Sequence, residues 1–494
     1  MKNKPVCLCD MVTLSANAAL SETYIRYLCG LSAEQQYRHK EILDIECLLG
    51  ILSVPESKLD GFIYGYTVPQ LNKEFDLLKI TETSCINIEL KSEAITEERL
   101  KRQLLQNLHY LKLLNKETLK TYIFVSSLSA VYTINDQKII EEISANELAA
   151  VLCSLDGEEI VDLDSVFLPR NILVSPLNST ERFLAGDYLL TEHQENIKRD
   201  VLDHVNTNTQ GRFAGITGGP GTGKTLLIYD IACELAKTRK VLMVHSGILC
   251  SGHRYLNYHL ANVKIISAKE LRLREIKDVD IVIVDEAHRL YTDSLEKIER
   301  WVQRAKTTCL FSYDAGQTLS TSENRRNTAE SIDALCANNI YRLTNKIRTN
   351  KELALFITCL RDLSKYRPEY SFPNVSIIYE PDKLNAPLRA KGLESEGYTY
   401  ISFTPSIYKS RLDYQVSAHN THNVIGQEFE GVCMILDDNW FYQYNKLTGR
   451  EHPNPDYLFE QLLYQGLTRV RSKLALIVCD EDILKIILML VKNG

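Results

Sequence analysis

The sequence predicts an α/β protein in which a mixed αβββαβ domain precedes two parallel-sheet lobes. Three observations predict it. Near the N-terminus, three short β-like runs lie between two long helical patterns. From about residue 211 onward, apolar runs alternate with helical patterns, as strands joined by crossover helices must. Between the two, residues 165–190 carry prolines and turn residues and read as a connector. At 494 residues the chain is too long for one core. The expected domains are 1–175, 176–345 and 346–494.

Taken in order, residues 33–53 place Ile42, Leu43, Ile45, Leu48, Leu49 and Ile51 at helical spacing. The runs FIYGYTV, EFDLLKI and CINIELKS follow as strands, then a helix from Glu97 to Asn115 and the strand TYIFVSS. Beyond the connector, strands are expected at 211–217, 241–246, 263–266, 281–285, 308–312, 399–403, 432–436 and 474–478. The lobe boundary falls near 345–350, and DILKIILMLVKN closes the chain as a last helix.

Composition narrows the class. With 45% hydrophobic and 24% charged residues the chain is an ordinary globular protein. No run approaches the roughly 18 apolar residues of a membrane helix, so no membrane partner is expected. The opening MKNKPVCLCDMVTLSANAAL is interrupted by Asp10 and Asn17 and reads as mature protein. The 13 cysteines are scattered, which points to a reducing cytoplasm. Cys7 and Cys9 alone make a poor metal motif, and no zinc is assigned to them. The net charge of −7 counts against constitutive nucleic-acid binding but leaves room for a local basic groove.

One motif carries clear chemistry. Gly218, Gly219, Pro220, Gly221, Thr222, Gly223, Lys224 and Thr225 match G-x-x-x-x-G-K-[ST], with the apolar run FAGIT before it and a helical pattern after it. Such a loop turns backbone N–H groups toward phosphates at a helix N-terminus. Lys224 would reach the β- and γ-phosphates, and Thr225 would ligate Mg²⁺. Downstream, Ile281, Val282, Ile283 and Val284 form a buried strand that delivers Asp285 and Glu286 to the same side. Asp285 is the expected Mg²⁺ partner and Glu286 the base for the attacking water. The expected cofactors are therefore ATP and Mg²⁺.

Further segments, in this order, resemble superfamily-one helicases, most closely the compact Schlafen-like branch. Thr191-Glu192-His193-Gln194 resembles the adenine-reading Q motif, with Gln194 as reader. Phe311 through Gln317 resembles motif III, in which Gln317 would sense the γ-phosphate. Leu343 through Arg348 resembles motif IV, with Arg348 on the phosphates, and His422 through Val432 resembles motif V. Leu463 through Arg471 resembles motif VI, with Arg469 as arginine finger. The resemblance implies two RecA-like lobes clamped by ATP and released on hydrolysis. The short intervals Lys224–Asp285 and Arg348–His422 leave little room for the inserted subdomains of processive relatives. Strand separation is thus not implied, whereas ATPase, translocase or switch activity is. Tyr255, Tyr258 and His253 follow the strand where such proteins contact single strands, and base stacking and lobe-surface packing are both open to them.

The N-terminal domain suggests a second chemistry. Asp76 and Glu89 are one hairpin apart, and Glu89 and Lys91 project from the same strand face. Two carboxylates can hold Mg²⁺ or Mn²⁺, and a lysine beside them can orient a water for phosphodiester hydrolysis. The residues and the αβββαβ order resemble PD-(D/E)XK nucleases, so the domain is expected to be restriction-endonuclease-like. The resemblance implies metal ligation by Asp76 and Glu89 and a supporting role for Gln103 on the next helix, with Gln106 and Tyr110 further along. A first-helix acid, Glu34, Glu41 or Glu46, would complete the metal shell. The ordinary alternative for a Glu-x-Lys strand is a solvated face.

The combined expectation is an ATP-dependent nuclease of helicase type, similar to proteins of prokaryotic mobile-element and phage-defence loci. Its partner would be nucleic acid, DNA ahead of RNA, with a homo-oligomer or a co-encoded protein as further partners. Two alternatives stand beside it: a translocase whose N-terminal domain only grips nucleic acid, and a nucleotide-switched regulator that answers to a protein.

Overall fold

The computed structural model describes residues 4–31, 37–68, 73–155, 157, 162–167, 174–207, 212–273, 275–344, 351–405, 415, 417–450 and 456–491. It is a mixed α/β protein that divides into two units, Met1–Ile172 and Leu173–Gly494. Among the described residues no helix is long and apolar enough to cross a membrane.

The first unit is built on a six-stranded sheet in sequential order: β1 Phe62–Val68, β2 Lys73–Ile80, β3 Ser84–Lys91, β4 Thr118–Val125, β5 Ala130–Ile134 and β6 Ile140–Ile143. Only β3 and β4 run parallel, because the helix Glu97–Leu111 crosses between them. Thr96 caps that helix by accepting from Arg99 N, and Glu97 and Glu98 suit its positive end. Alternation along β3 decides what each face carries. Ile86, Ile88 and Leu90 join Leu8, Ile25, Ile42, Ile45 and Leu48, from helices Leu8–Val12, Ala18–Cys29 and His39–Ile51, in one core. Asn87 and Glu89 occupy the opposite face, where Leu100 and Leu104 pack on Ile123 and Val125. Asp44, at 5% exposure, accepts from Ser92 Oγ at 2.7 Å and Ser126 Oγ at 2.5 Å, tying the third helix to the ends of β3 and β4.

The second unit holds two parallel sheets. The first has the order β12-β7-β11-β10-β8-β9: Ile340–Leu343, Phe213–Gly218, Cys309–Tyr313, Ile281–Asp285, Val241–His245 and Val263–Ser267. The second has the order β13-β19-β16-β14-β15: Val375–Tyr379, Val470–Val478, Phe429–Leu436, Tyr398–Ser402 and His419–Asn420. An antiparallel hairpin, β17 Trp440–Gln443 with β18 Lys446–Gly449, lies outside both sheets. Two backbone bonds join the segment after β11 to the approach of the helix Phe459–Leu467: Leu458 N donates to Leu319 O at 3.0 Å, and Thr321 N donates to Asp456 O at 3.1 Å.

All twelve expected strands appear, with ends moved by a few residues. The expected helix 33–53 is described as His39–Ile51, and residues 32–36, Glu34 among them, lie outside the described residues, as does the expected lobe boundary at 345–350. The helix expected to reach Asn115 ends at Leu111, because Asn115 adopts a left-handed conformation after a turn of 3-10 helix. The apolar periodicity of the sequence does not mark β5, β6, β12, β13, β15 or the β17–β18 hairpin. Most are short edge strands with few buried residues, so their apolar periodicity is weak.

Candidate functional site

The nucleotide motif lies where β7 turns into the helix Lys224–Ala236. Gly221 (φ +74°) and Gly223 (φ +86°) take left-handed conformations that a side chain would strain. At Gly218 a Cβ would meet Leu343 O at 2.6 Å. Lys224 is buried, and its ammonium donates to Gly218 O at 2.6 Å and Gly219 O at 2.9 Å, 3.8 Å from Asp314. Burial holds its pKa below the ordinary lysine value, against the pull of Asp314, Glu286 and Asp285. Thr225 is buried beside it. Gln194, 2% exposed, accepts from Thr191 N at 2.9 Å and donates to Thr222 O at 3.3 Å, so its amide braces the loop.

Asp285 is the last residue of β10, one strand removed from β7 across β11. Its Oδ1 accepts from Glu286 N at 3.0 Å. Glu286 holds φ +54°, a conformation costly for a non-glycine residue and common at working sites. Burial would raise its pKa, but His288, Arg289, Lys224 and Arg469 outweigh burial and bring it down to about 2. His288 Nδ1 accepts from Asp314 N at 3.2 Å, which places the proton of the neutral ring on Nε2, 3.6 Å from Glu286. Burial and Arg289 keep that ring neutral, with a pKa of about 4. Arg469 directly precedes β19 of the second sheet, and its guanidinium donates to Gln465 O at 3.2 Å and Gln427 O at 3.3 Å. Gln317 lies beneath, its carbonyl accepting from Arg289 at 3.0 Å. Arg348 lies outside the described residues.

Asp285 Oδ2, Glu286 Oε2, Asp314 Oδ2, Gln317 Nε2 and Gln465 Oε1 are all buried without a hydrogen-bond partner among the described residues. Orphaned polar groups of this kind are costly unless something else satisfies them. The orphaned acceptors of Asp285, Glu286 and Asp314, which act on the buried Lys224, fit a hydrated cation, as that lysine fits phosphate oxygens.

Sequence reasoning missed a buried ion pair that supports this cluster. Arg289, next to His288, meets Glu323 at 3.2 Å, and Glu323 also accepts from Leu319 N at 2.7 Å. Arg289→Ala is expected to destabilise this unit by about 3–5 kcal/mol, because Glu323 is left charged and buried. Urea denaturation checks it, and the double variant Arg289→Met/Glu323→Leu should recover most of the loss. Among the candidate stacking residues, His253 is buried, whereas Tyr258 is 86% exposed and Tyr255 stacks on His259. His253 is therefore not available to a base, because its ring packs on His245.

In the first unit, β2 and β3 bring Asp76, Glu89 and Lys91 together. Lys91 Nζ lies 3.9 Å from Asp76 and 3.8 Å from Glu89, and Asp76 Oδ2 accepts from Leu90 N at 2.8 Å. Gln103 donates to Glu89 Oε2 at 2.6 Å. The next contact along that helix comes from Asn107, four residues on, whose amide reaches Glu89 Oε1 at 3.0 Å. Tyr110 packs edge-on against Phe75. Lys73 adds a second ammonium 3.4 Å from Glu89. Neither Asn107 nor Lys73 stood out in the sequence, although Asn107 has the i+4 spacing from Gln103. Of the first-helix acids, Glu46 is exposed and Glu41 accepts from Tyr64 and Arg38 at 2.9 and 2.7 Å. Burial and the neighbouring Glu89 charge push the Asp76 carboxyl well above its ordinary pKa, only partly offset by Lys91. A divalent cation between the two buried carboxylates would relieve the raised Asp76 carboxyl. A cation at Glu89 Oε2 would compete with Gln103.

No curated protein matches the chain. Among solved structures, the chain is similar to a Pif1 helicase in a study of DNA unwinding at forked dsDNA by two coordinating Pif1 helicases, at 13% identity and a TM-score of 0.32 over 60% of this chain and 96% of that one. It is also similar to Pif1 helicase from Candida albicans, at 12% identity and 0.35 over 62% and 100%. A third is the DUF1998 helicase MrfA bound to DNA, at 10% identity and 0.33 over 64% and 50%. Residues 212–458, half of the chain and the stretch that holds the P-loop, Asp285, Glu286 and Gln317, match the model for the Schlafen group 3 DNA/RNA helicase domain, and the chain belongs to that family.

Proposed function

We propose that the chain is an ATP-driven helicase-type motor on nucleic acid, fused to a metal-dependent nuclease, with DNA ahead of RNA as substrate and defence against phage or mobile elements as setting. The observation that carries the motor is the set of orphaned buried groups around Lys224, with Arg469 of the second lobe close enough to depress the Glu286 pKa. Bound Mg-ATP would supply the phosphates and a Lewis acid. Lys224 would exchange the loop carbonyls for phosphate oxygens, Thr225 and Asp285 would hold the cation, and Gln317 would donate to the terminal phosphate. Glu286 orients the attacking water. His288, Arg289, Lys224 and Arg469 together outweigh burial and depress its pKa in the free chain. Phosphate charge would offset the part due to Lys224 and Arg469, which would make Glu286 a better base when the site is filled. Arg469 and Arg348 stabilise charge in the transition state. Gln194 serves the adenine side while bracing Thr222.

The nuclease reading rests on Asp76, Glu89 and Lys91 meeting at one place on β2 and β3, with Gln103 in support. Asp76 and Glu89 would hold Mg²⁺ or Mn²⁺, which supplies a water of lowered pKa, and Lys91 would orient that water. The unit is read as a PD-(D/E)XK, restriction-endonuclease-like fold, occupying the first of three domains at 1–175, 176–345 and 346–494. A second reading, an N-terminal unit that grips nucleic acid without cutting it, draws support from the donors that already engage both oxygens of Glu89.

The deciding experiment is cleavage of labelled single- and double-stranded DNA and RNA, with Mg²⁺ or Mn²⁺ and with or without ATP. Glu89→Ala is expected to abolish cutting and spare ATP hydrolysis. Lys224→Ala is expected to abolish hydrolysis and so reveal whether ATP gates the cut. Wild type that hydrolyses ATP on nucleic acid yet cuts nothing under any condition establishes the gripping reading instead.

A further inference from the structure

Behind the nucleotide site lies a buried group that the proposed chemistry does not use. His245 ends β8, and in the parallel ladder it pairs directly with Asp285 at the end of β10. Its Nδ1 lies 3.5 Å from Asp285 Oδ2. Both ring nitrogens and that carboxylate oxygen are buried without a hydrogen-bond partner among the described residues. Behind the ring is His253, centroid to centroid 4.3 Å, which is neutral and whose Nδ1 accepts a hydrogen bond from Cys250 N at 3.1 Å. On a further side is the second lobe. A Cβ at Gly426 would lie 3.5 Å from His245 Cε1, so the backbone there approaches the ring closely, and a Cβ at Gly247 would meet Nε2 at 2.7 Å. The carbonyl of Gln427, the residue after Gly426, accepts from the Arg469 guanidinium at 3.3 Å. One imidazole thus stands beside Asp285 on one side and, on another, beside Gly426, next in sequence to the residue whose carbonyl accepts from Arg469.

We propose that His245 is a positioning residue, which fixes the Asp285 carboxylate through an Nδ1–H bond and carries its position to Gly426, Gln427 and Arg469. This rests on the reading of Asp285 as a magnesium partner. Turning an imidazole lone pair toward a carboxylate would be repulsive, so Nδ1 is the ring nitrogen that carries an N–H toward Asp285. Glu286 N already holds Oδ1, so an Nδ1–H bond to Oδ2, 3.5 Å away, would leave the carboxylate no freedom to rotate. Partners of this kind typically change metal affinity by about 10–100-fold.

The test uses the full chain and a fluorescent ADP titrated with Mg²⁺, which reads binding without turnover. His245→Leu removes the donor and keeps the bulk; it is expected to raise the Mg²⁺ concentration for half-maximal response by about 10–100-fold and to leave Mg²⁺-free ADP binding unchanged. His245→Asn, whose amide nitrogen stands near the Nδ1 position, should recover most of the response, whereas His245→Gln, which places its amide further out, should not. In ATP turnover, His245→Leu and Arg469→Ala should be less than additive, because both act on one path. An unchanged Mg²⁺ response in His245→Leu overturns the proposal. So does an Asn variant as impaired as Gln while both unfold at the wild-type temperature, since that shows packing alone. Should His245→Leu not fold, the Asn and Gln pair decides. A wild-type chain that binds ADP with no response to Mg²⁺ overturns the reading of Asp285 itself, before any variant is compared.

Discussion

Arg469→Ala is expected to lower kcat for ATP hydrolysis by about 10³-fold or more, with a much smaller change in ATP affinity. The asymmetry follows from where the arginine stands. Its guanidinium is held by Gln465 O on the helix Phe459–Leu467 and by Gln427 O just before β16, while Lys224 and Thr225 open the helix after β7 and Asp285 ends β10. A charge delivered from elements of the other sheet acts most where charge develops in the transition state, so it enters kcat more than binding. Arg469→Lys should not restore the rate, since a compact ammonium cannot keep two carbonyl partners and face a phosphate at once. Steady-state kinetics with and without single-stranded DNA or RNA separate the cases. A loss confined to KM, with kcat intact, shows that Arg469 only binds nucleotide and removes the two-lobe clamp from the account.

What was legible in the sequence follows the range of the forces involved. The P-loop could be read because its chemistry is made by consecutive residues: Gly221 and Gly223 need left-handed backbone, and Lys224 opens the helix that follows. Asp285 and Glu286 could be read because four β-branched and aliphatic residues announce a buried strand and fix its carboxyl end. The acids on β2 and β3 were readable as a pair because a hairpin is a local object. Partners supplied by the fold were not. Lys73 reaches Glu89 only once β2 is laid against β3, Arg289 meets Glu323 from across β11, and His245 meets Asp285 only because β8 and β10 are neighbours in a sheet whose order differs from the sequence. An arginine beside a DEAH-like run looks like a surface charge until burial is known, and His245 looks like one more residue at a strand end. Edge strands such as β12 and β13 escaped for a related reason, since a strand that buries few side chains leaves little pattern.

The same neighbour effects set the largest expected change in the first unit. Asp76→Asn should lower metal-dependent cleavage by about 10³-fold, the several kcal/mol that one properly held cation contributes to a phosphoryl transition state. It should also make the metal-free chain more stable, by about 0.5–2 kcal/mol at neutral pH, as relief of a destabilised working site commonly does. The Asp76 carboxyl is 6% exposed, sits against Glu89, and has its pKa raised well above the ordinary value by burial first and Glu89 second. Because the folded state holds that proton more tightly than the unfolded chain, the stability it contributes is present at low pH and is lost as pH rises through the raised pKa. Asparagine removes that dependence and can still accept from Leu90 N through its side-chain oxygen. Thermal unfolding from pH 4 to 8 in chelator should show the variant's advantage growing with pH. Saturating Mg²⁺ or Mn²⁺ should narrow or reverse the advantage, because the cation stabilises only the wild-type pair. If the advantage appears but Mg²⁺ leaves it untouched, Asp76 and Glu89 are a strained carboxylate pair that binds no metal, and the first unit grips nucleic acid without cutting it.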